Sequence, residues 1–227
     1  MKILVFSDTH LTSKFDQEKF NFLWKIIDSS DQVIINGDFW DGWFTNFDGF
    51  LKSKWNGLFP LLLEKNTIYI YGNHDPAIKC DHRTSLFSVK AAESYTLSVS
   101  NKVYFIEHGH RILNGKRTKF IEIYGKLLDW ADKNILRIFL HRFLHFLEYL
   151  GYKCIGASLM TELKIAKQSN EIMKQFNNGT KFLICGDTHC AEMDKIKLYA
   201  NSGCILYGKA SYLMIDNGQI ILYKEDY

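Results

Sequence analysis

The sequence lacks several features that mark particular classes of protein. No stretch approaches the roughly 18 uncharged apolar residues of a membrane-spanning helix, and the N-terminus has no apolar segment of the length that a secretory signal needs. The five cysteines include no CxxC pair and are odd in number, which argues against both a four-cysteine zinc site and a disulfide framework. Only two prolines and fifteen glycines are present, which excludes a collagen-like or linker-rich chain. We therefore expect a globular protein in a reducing compartment, the cytoplasm.

The apolar residues that are present predict strands alternating with helices. Strand patterns at residues 2–6, 32–37 and 67–72 are separated by a helical pattern at 16–27 and by a second one that we expect Pro60 to interrupt. Two further strand patterns lie near residues 95–106, and four follow residue 180. Between them, helical patterns cover about 116–152 and 160–176. These patterns predict a single α/β domain over residues 1–227, with a helical insertion at about 112–178.

Polar residues of a particular kind follow five of the predicted strands. The tripeptide Asp-Thr-His occurs twice, and the other three segments are GDFWD, GNHD and EHGH. The side chains concerned are Asp8, His10, Asp38, Asp41, Asn73, His74, Asp75, His108, His110, Asp187 and His189. Because ligands of α/β sheets bind beyond the carboxyl ends of the strands, we expect these groups to converge.

Carboxylate, imidazole and amide oxygen together form a ligand set that suits Mn²⁺, Fe, Zn²⁺ or Mg²⁺. Asp8 and His10 are two residues apart, and on an extended strand end they would project to the same side. The full set exceeds what one ion needs, so two ions about 3.5–4 Å apart would use it. Each motif alone is also typical of a turn or a cap. The ordered combination of all five predicts a two-metal site.

That ordered set resembles the calcineurin-like metallophosphoesterase superfamily, whose signature is DxH, GDxxD, GNH(D/E), an isolated His and GHxH. The resemblance implies a sandwich of two β-sheets flanked by helices. It also implies two divalent metal ions, for which we expect Mn²⁺. By this resemblance, the ligands of the first ion are Asp8, His10 and His189, those of the second are Asn73, His108 and Asp187, and Asp38 bridges both. The family has His where this chain has Asp187, and the extra negative charge favours a hard ion.

The resemblance also implies the reaction, hydrolysis of a phosphoester or pyrophosphate by a hydroxide that bridges the two ions. His74 stands at the position of the family's candidate general acid, and Asp41 at that of the carboxylate paired with it. One alternative is a metal-poor scaffold of the same fold, of which Asp187 would be an early sign. A nuclease or other phosphodiesterase is another alternative. Nucleic acid is the less favoured partner, because the insertion is basic but the motif loops are not.

Within the superfamily, the chain resembles the UDP-2,3-diacylglucosamine hydrolases in its GDFWDGW segment, its insertion and its C-terminal strands. Residues 111–180 contain twelve Lys and Arg against six Asp and Glu. The candidate lid residues are Phe139, Phe143, Arg137 and Arg142. Such a lid would cover a lipid-linked or nucleotide substrate or lie on the inner face of an anionic membrane, although ordinary packing produces the same apolar stripe. His74 argues against the lipid A step, because the hydrolases of that step tend to carry Arg there. The oligomeric state is not predicted.

Overall fold

The computed structural model describes residues 1–113, 146 and 164–227. Its described part contains strands that form two separate sheets. The strands are β1 (Lys2–Phe6), β2 (Gln32–Asn36), β3 (Ile68–Ile70), β4 (Lys90–Ala92), β5 (Tyr95–Val99), β6 (Lys102–Ile106), β7 (Phe182–Cys185), β8 (Glu192–Asp194), β9 (Tyr199–Asn201), β10 (Ile205–Leu206), β11 (Lys209–Asp216) and β12 (Gln219–Asp226).

The helices of the described residues lie between these strands. They are α1 (Gln17–Asp28), α2 (Phe47–Lys52), α3 (Phe59–Glu64), α4 (His110–Leu113) and α5 (Lys164–Phe176), with short 3-10 helices at Lys54–Leu58, Ala77–Lys79 and His82–Leu86. The α1 helix begins after Asp16, whose side chain accepts a hydrogen bond from the Lys19 backbone N–H at 3.0 Å.

The first sheet has the order β4-β3-β2-β1-β11, and both β10 and β12 also pair with β11. Strands β1 to β4 are parallel, with Val5 opposite Ile34, whereas β11 is antiparallel to β1. The second sheet has the order β5-β6-β7-β9-β8, and β6, β7 and β9 are parallel. In each sheet, the carboxyl ends of the parallel strands therefore meet at one edge.

Alternate residues of β1 pack on opposite faces of the first sheet. Ile3 and Val5 join a buried cluster with Ile106 and Ile184 of the second sheet. Leu4 and Phe6 face the other way, into a cluster formed with α1, α2 and α3. On the outer face of the second sheet, α4 and α5 cover β7 and β9. The layers are helix, sheet, sheet and helix, which confirms the predicted sandwich of two sheets flanked by helices.

Several sequence predictions differ from the structure in detail. Pro60 does not interrupt a helix, since α2 already ends at Lys52 and Pro60 lies in the first turn of α3. Proline is tolerated there because that turn needs no backbone donor. Strands β4, β8 and β9 were not predicted, since each is short and none lies in an apolar run such as that of β3. The turn between β11 and β12 follows the sequence signal: Asn217 and Gly218 both have positive φ, 47° and 74°.

Most of the predicted insertion lies outside the described residues. Its last helical pattern is confirmed by α5, whereas the candidate lid residues Phe139, Phe143, Arg137 and Arg142 are not described. The single-domain boundaries therefore stay a prediction. Within residues 1–113 and 164–227, no helix combines the length and the apolar character required to span a membrane.

Candidate metal centre

Five loops meet where the carboxyl ends of the two sheets lie side by side. The loops after β1, β2 and β3 come from the first sheet, and those after β6 and β7 come from the second. They bring together the nine residues that were predicted to bind metal or to act in catalysis, which are Asp8, His10, Asp38, Asp41, Asn73, His74, His108, Asp187 and His189.

The two Asp-Thr-His tripeptides share a left-handed backbone at both the Asp and the His. Asp8 and His10 have φ values of 53° and 45°, and Asp187 and His189 have 65° and 56°. The expectation of an extended strand end was therefore wrong, because these residues turn sharply after their strands. Left-handed backbone costs on the order of 1–2 kcal/mol at a residue other than glycine. Four such residues at one place indicate a functional site that is held by its surroundings.

One group of ligand atoms lies around Asp8. Its Oδ1 is 3.3 Å from His189 Nε2, and that nitrogen is 3.2 Å from His10 Nε2. His10 Nε2 is also 3.7 Å from Asp38 Oδ2. Asp8 Oδ1 is buried and accepts no hydrogen bond from any residue that the structure describes. A lone buried carboxylate oxygen facing two imidazole nitrogens fits a cation.

A second group of ligand atoms lies around His108 and shares Asp38 with the first. His108 Nε2 is 3.2 Å from Asn73 Oδ1, 3.4 Å from Asp38 Oδ2 and 3.6 Å from Asp187 Oδ1. His108 Nδ1 donates to the Asn36 carbonyl at 2.8 Å, which leaves Nε2 as the ligand atom. Asp187, the residue at which the chain departs from the family pattern, therefore lies among these ligand atoms.

His74 lies beside both groups. Its Nδ1 donates to Asp41 Oδ1 at 3.1 Å, and its Nε2 is 3.8 Å from Asp38 Oδ2. The other carboxylate oxygen of Asp41 lies 3.6 Å from His10 Nδ1. Asp41 therefore orients two imidazoles at once, one in the first ligand group and one beside it.

The carboxylates and imidazoles of the site shift one another's pKa values. Burial alone would raise the carboxyl pKa values of Asp8 and Asp38, but the nearby imidazoles, His108 foremost, hold both below the ordinary value. Hydrogen bonds with imidazoles likewise lower the pKa of Asp41 against the effect of burial. Burial would lower the pKa of His74, yet Asp38 and Asp41 raise it above its ordinary value. Ionised carboxylates in a buried place require positive charge, which divalent cations would supply.

Comparison with known families agrees with this geometry. Residues 1–191 match the sequence profile of a family described as calcineurin-like phosphoesterases. The chain belongs to the calcineurin-like phosphoesterase family. The match extends over both Asp-Thr-His segments, so the family covers all of the loops that form the centre.

Several solved structures are similar to this member of the calcineurin-like phosphoesterase family. An archaeal phosphodiesterase is 16% identical, with 99% of each chain covered and a TM-score of 0.49. The phosphoesterase Yfce from E. coli is also 16% identical, with 100% of this chain and 99% of that one covered and a TM-score of 0.46. Vps29 from Entamoeba histolytica, in complex with Zn²⁺, is 12% identical with the same coverage and a TM-score of 0.45. No match was found among curated protein sequences.

Asp75 supports the centre in a way that the sequence did not predict. Its carboxylate is fully buried and accepts backbone hydrogen bonds from Gly72 at 2.8 Å, Asp38 at 3.0 Å and Phe39 at 2.7 Å. Burial, together with the charge of Asp38, raises its pKa to about 6. Asp75 therefore holds the loop after β2 against the loop after β3. Its place in the GNHD motif was the available signal.

Asn170 supports the second Asp-Thr-His segment from α5. Its Oδ1 accepts from Thr188 Oγ1 at 2.9 Å, from the Tyr199 hydroxyl at 3.0 Å and from Asn201 Nδ2 at 3.2 Å. Its Nδ2 donates to the Cys190 carbonyl at 3.1 Å. A single Asn in a polar helix gives no sequence signal for such a role, because all of these partners are distant along the chain.

Lys19 supports the first Asp-Thr-His segment from α1. Its side chain is buried, and its ammonium group donates to the Thr9 carbonyl. Burial lowers the pKa of Lys19 from 10.5 to about 7. The folded protein therefore holds this proton less tightly than the unfolded chain does.

Lys19→Met should therefore change how stability depends on pH. Between about pH 7 and 10 the unfolded chain binds more protons at Lys19 than the folded protein does, so wild-type stability rises with pH. Relative to Lys19→Met, the free energy of unfolding should rise by about 1.4 kcal/mol per pH unit. Urea unfolding of chelator-treated protein at several pH values measures this free energy of unfolding. Lys25→Met, at an exposed position of the same helix, is the control and should keep the wild-type slope. Equal slopes for Lys19→Met and wild type would contradict the depressed pKa.

Proposed function

We propose that the chain is a metal-dependent phosphoesterase that hydrolyses phosphomonoesters or phosphodiesters, with His74 as general acid. The observation that carries this proposal is the sharing of Asp38 between two groups of ligand atoms, with the His74–Asp41 pair directly beside them. Phosphoester hydrolysis needs cation ligands and a proton donor beside them. The chain belongs to a family of phosphoesterases, its candidate cation ligands form groups that share Asp38, and His74 Nε2 lies 3.8 Å from the Oδ2 of that residue.

The residues that would hold the cations come from both sheets. The ligands proposed for the first cation are Asp8, His10, Asp38 and His189, and those proposed for the second are Asp38, Asn73, His108 and Asp187. Two divalent cations, when bound, would supply Lewis-acid charge to the phosphoryl group and acidify an attacking water. We propose Mn²⁺, because three carboxylates and an amide oxygen form a harder ligand set than imidazoles alone.

The chain's own residues would handle the departing oxygen. Asp41 accepts the Nδ1–H of His74 and so directs Nε2 toward Asp38 and the shared edge of the two ligand groups. From there Nε2 would donate a proton to the leaving oxygen of the substrate. A carboxylate on the Nδ1 side favours the doubly protonated ring that such a donor must be.

This assignment of His74 also defines the proposed substrate class. An alkoxide is a poor leaving group and needs protonation, whereas a phosphate expelled from a pyrophosphate needs little. The proposed class therefore leaves out the reaction of the UDP-2,3-diacylglucosamine hydrolases. Support for a lipid-linked substrate or for membrane contact would have to come from Phe139, Phe143, Arg137 and Arg142, which lie outside the described residues.

Asp38→Asn should abolish hydrolysis and lower the content of bound metal, because the shared carboxylate would neutralise both cations. The measurements are kcat on a phosphoester panel with added Mn²⁺ and metal content by mass spectrometry. Asp28→Asn, at an exposed end of α1, is the matched control. A kcat for Asp38→Asn within about tenfold of wild type would overturn the two-metal proposal. A wild-type protein that binds no metal would instead favour the scaffold alternative.

His74→Ala should leave metal content unchanged and slow turnover of alkyl phosphoesters by about 10² to 10⁴, the range for a lost general acid. The loss should be much smaller for nitrophenyl esters, whose leaving group needs no proton. His82→Ala, an exposed histidine nearby in sequence, should behave as wild type. Equal losses on alkyl and nitrophenyl substrates would remove His74 from the general-acid role.

Asp187→Ala should lower the occupancy of one of two cations, because Asp187 Oδ1 lies 3.6 Å from His108 Nε2 in the second ligand group. Asp187→His should keep two cations and shift preference from Mn²⁺ toward Zn²⁺, since a neutral nitrogen replaces an anionic oxygen. Isothermal titration with each metal measures both effects. If Asp187→Ala still binds two ions per chain with wild-type affinity, Asp187 is not a ligand.

A further inference from the structure

Trp43 packs flat against His74. The two ring centroids are 3.6 Å apart and the ring planes meet at 29°, which is a stacked arrangement. Nothing in the metal-ligand motifs requires a tryptophan at this position, and Trp43 belongs to neither ligand group. Trp43 nevertheless contacts His74, the histidine that we propose as the general acid.

The segment Asp41-Gly42-Trp43 contacts His74 from two directions. Asp41 Oδ1 accepts from His74 Nδ1 at 3.1 Å, and the same oxygen accepts from the Trp43 backbone N–H at 2.9 Å. The carboxylate thus lies at the edge of the imidazole ring, while the indole covers its face. Because Trp43 N–H and His74 share one acceptor atom, the indole and the carboxylate are placed together.

Gly42 makes this close approach feasible. A Cβ at Gly42 would overlap the His74 carbonyl oxygen, so no other residue lets the two loops come this near. Lys79 then ties the loops together, since its ammonium donates to the Gly42 carbonyl at 3.1 Å and lies 3.5 Å from that of His74. All three residues of the segment Asp41-Gly42-Trp43 therefore lie against His74.

The two contacts restrict different motions of His74. A single hydrogen bond at Nδ1 fixes the distance to Asp41, but the ring can still tilt about that bond. Stacking against a large aromatic surface fixes the plane of the ring. The His10 ring, with its centroid at 4.4 Å and its plane at 80°, bounds the imidazole further. With position and plane both fixed, Nε2 has one direction, toward Asp38 Oδ2 at 3.8 Å.

We propose that Trp43 is a positioning residue, which holds the His74 imidazole in the plane required for proton transfer to the leaving group. This inference rests on the proposed function, because it presumes that His74 is the acid. Proton donation depends on the direction of Nε2, and misplacement of a reacting group by about 1 Å can cost 10²-fold in rate. Loss of the indole should therefore affect only those substrates that need the proton.

The test compares Trp43→Leu, Trp43→Met and Trp43→Phe with wild type on an alkyl phosphoester and on the matching nitrophenyl ester. Trp43→Leu and Trp43→Met should lower kcat about tenfold or more on the alkyl ester and by less than about twofold on the nitrophenyl ester. Trp43→Phe keeps an aromatic face and should restore most of the rate. Trp24→Leu, at a partly exposed position on α1, is the matched control and should match wild type.

Two further readouts separate positioning from a general loss of structure. In the Mg²⁺-loaded protein, the ring protons of His74 should show an upfield NMR shift from the indole, and Trp43→Leu should abolish it. In a His74→Ala background, Trp43→Leu should have no further effect on the alkyl ester. Equal losses on both esters, or an additive loss in the double variant, would overturn the role of Trp43.

The outcomes also distinguish this inference from the proposed function. If His74→Ala shows the leaving-group dependence and the Trp43 variants do not, only the positioning role fails. If His74→Ala loses both esters equally, or wild type hydrolyses neither, the proposed function fails and the role of Trp43 fails with it. Should Trp43→Leu not fold, Trp43→Met and the NMR shift of the Trp43→Phe protein still decide the question.

Discussion

Asp38 is the residue on which the geometry of the centre depends. Its backbone N–H donates to Asp75, and its carbonyl accepts from the N–H groups of Thr9 and His10, each at 3.0 Å. Its Oδ1 accepts from the His74 backbone N–H at 2.9 Å. Asp38 thereby joins the loops after β1, β2 and β3, and its remaining oxygen faces the imidazoles of both ligand groups.

The backbone strain and the buried charge of Asp38 both cost free energy, and contacts with neighbouring residues offset that cost. The residue is buried and has a left-handed φ of 51°, and a carboxylate without compensation would not remain ionised there. Gly72 lies so close that a Cβ at its position would overlap Asp38 Oδ1. Asp75 also fixes this backbone by accepting hydrogen bonds from the N–H groups of Asp38 and Phe39. Neighbouring residues therefore stabilise the strained, charged Asp38, and the parallel strands of the first sheet place those neighbours.

The sequence was sufficient to predict which residues meet but not how they are held. Parallel strands end at one edge, so motifs that follow successive strands converge for topological reasons. The pairing of Asp41 with His74 was expected from the resemblance to the metallophosphoesterases and not from topology. Asn170, Lys19 and Trp43 could not be predicted, since their contacts depend on how α5, α1 and the loop after β2 pack against the loops of the centre. A short strand such as β9 also escapes detection when no apolar run marks it, because three residues contain too few alternations to reveal a period.

The Asp-Thr-His segment occurs once on each sheet, with left-handed φ at its Asp and its His both times, and this explains why the centre lies between the sheets. Asp8 follows β1 of the first sheet and Asp187 follows β7 of the second, and the Asp187 N–H donates to Asp8 Oδ2 at 3.2 Å. Nearby, Ser7 Oγ and Ser202 Oγ are 2.7 Å apart and join the same two sheets. Ligand atoms drawn from both sheets come together only when the apolar faces between the sheets are packed. A cation at this edge would therefore bind the folded chain in preference to the unfolded one, and would stabilise the contact between the sheets that creates its site.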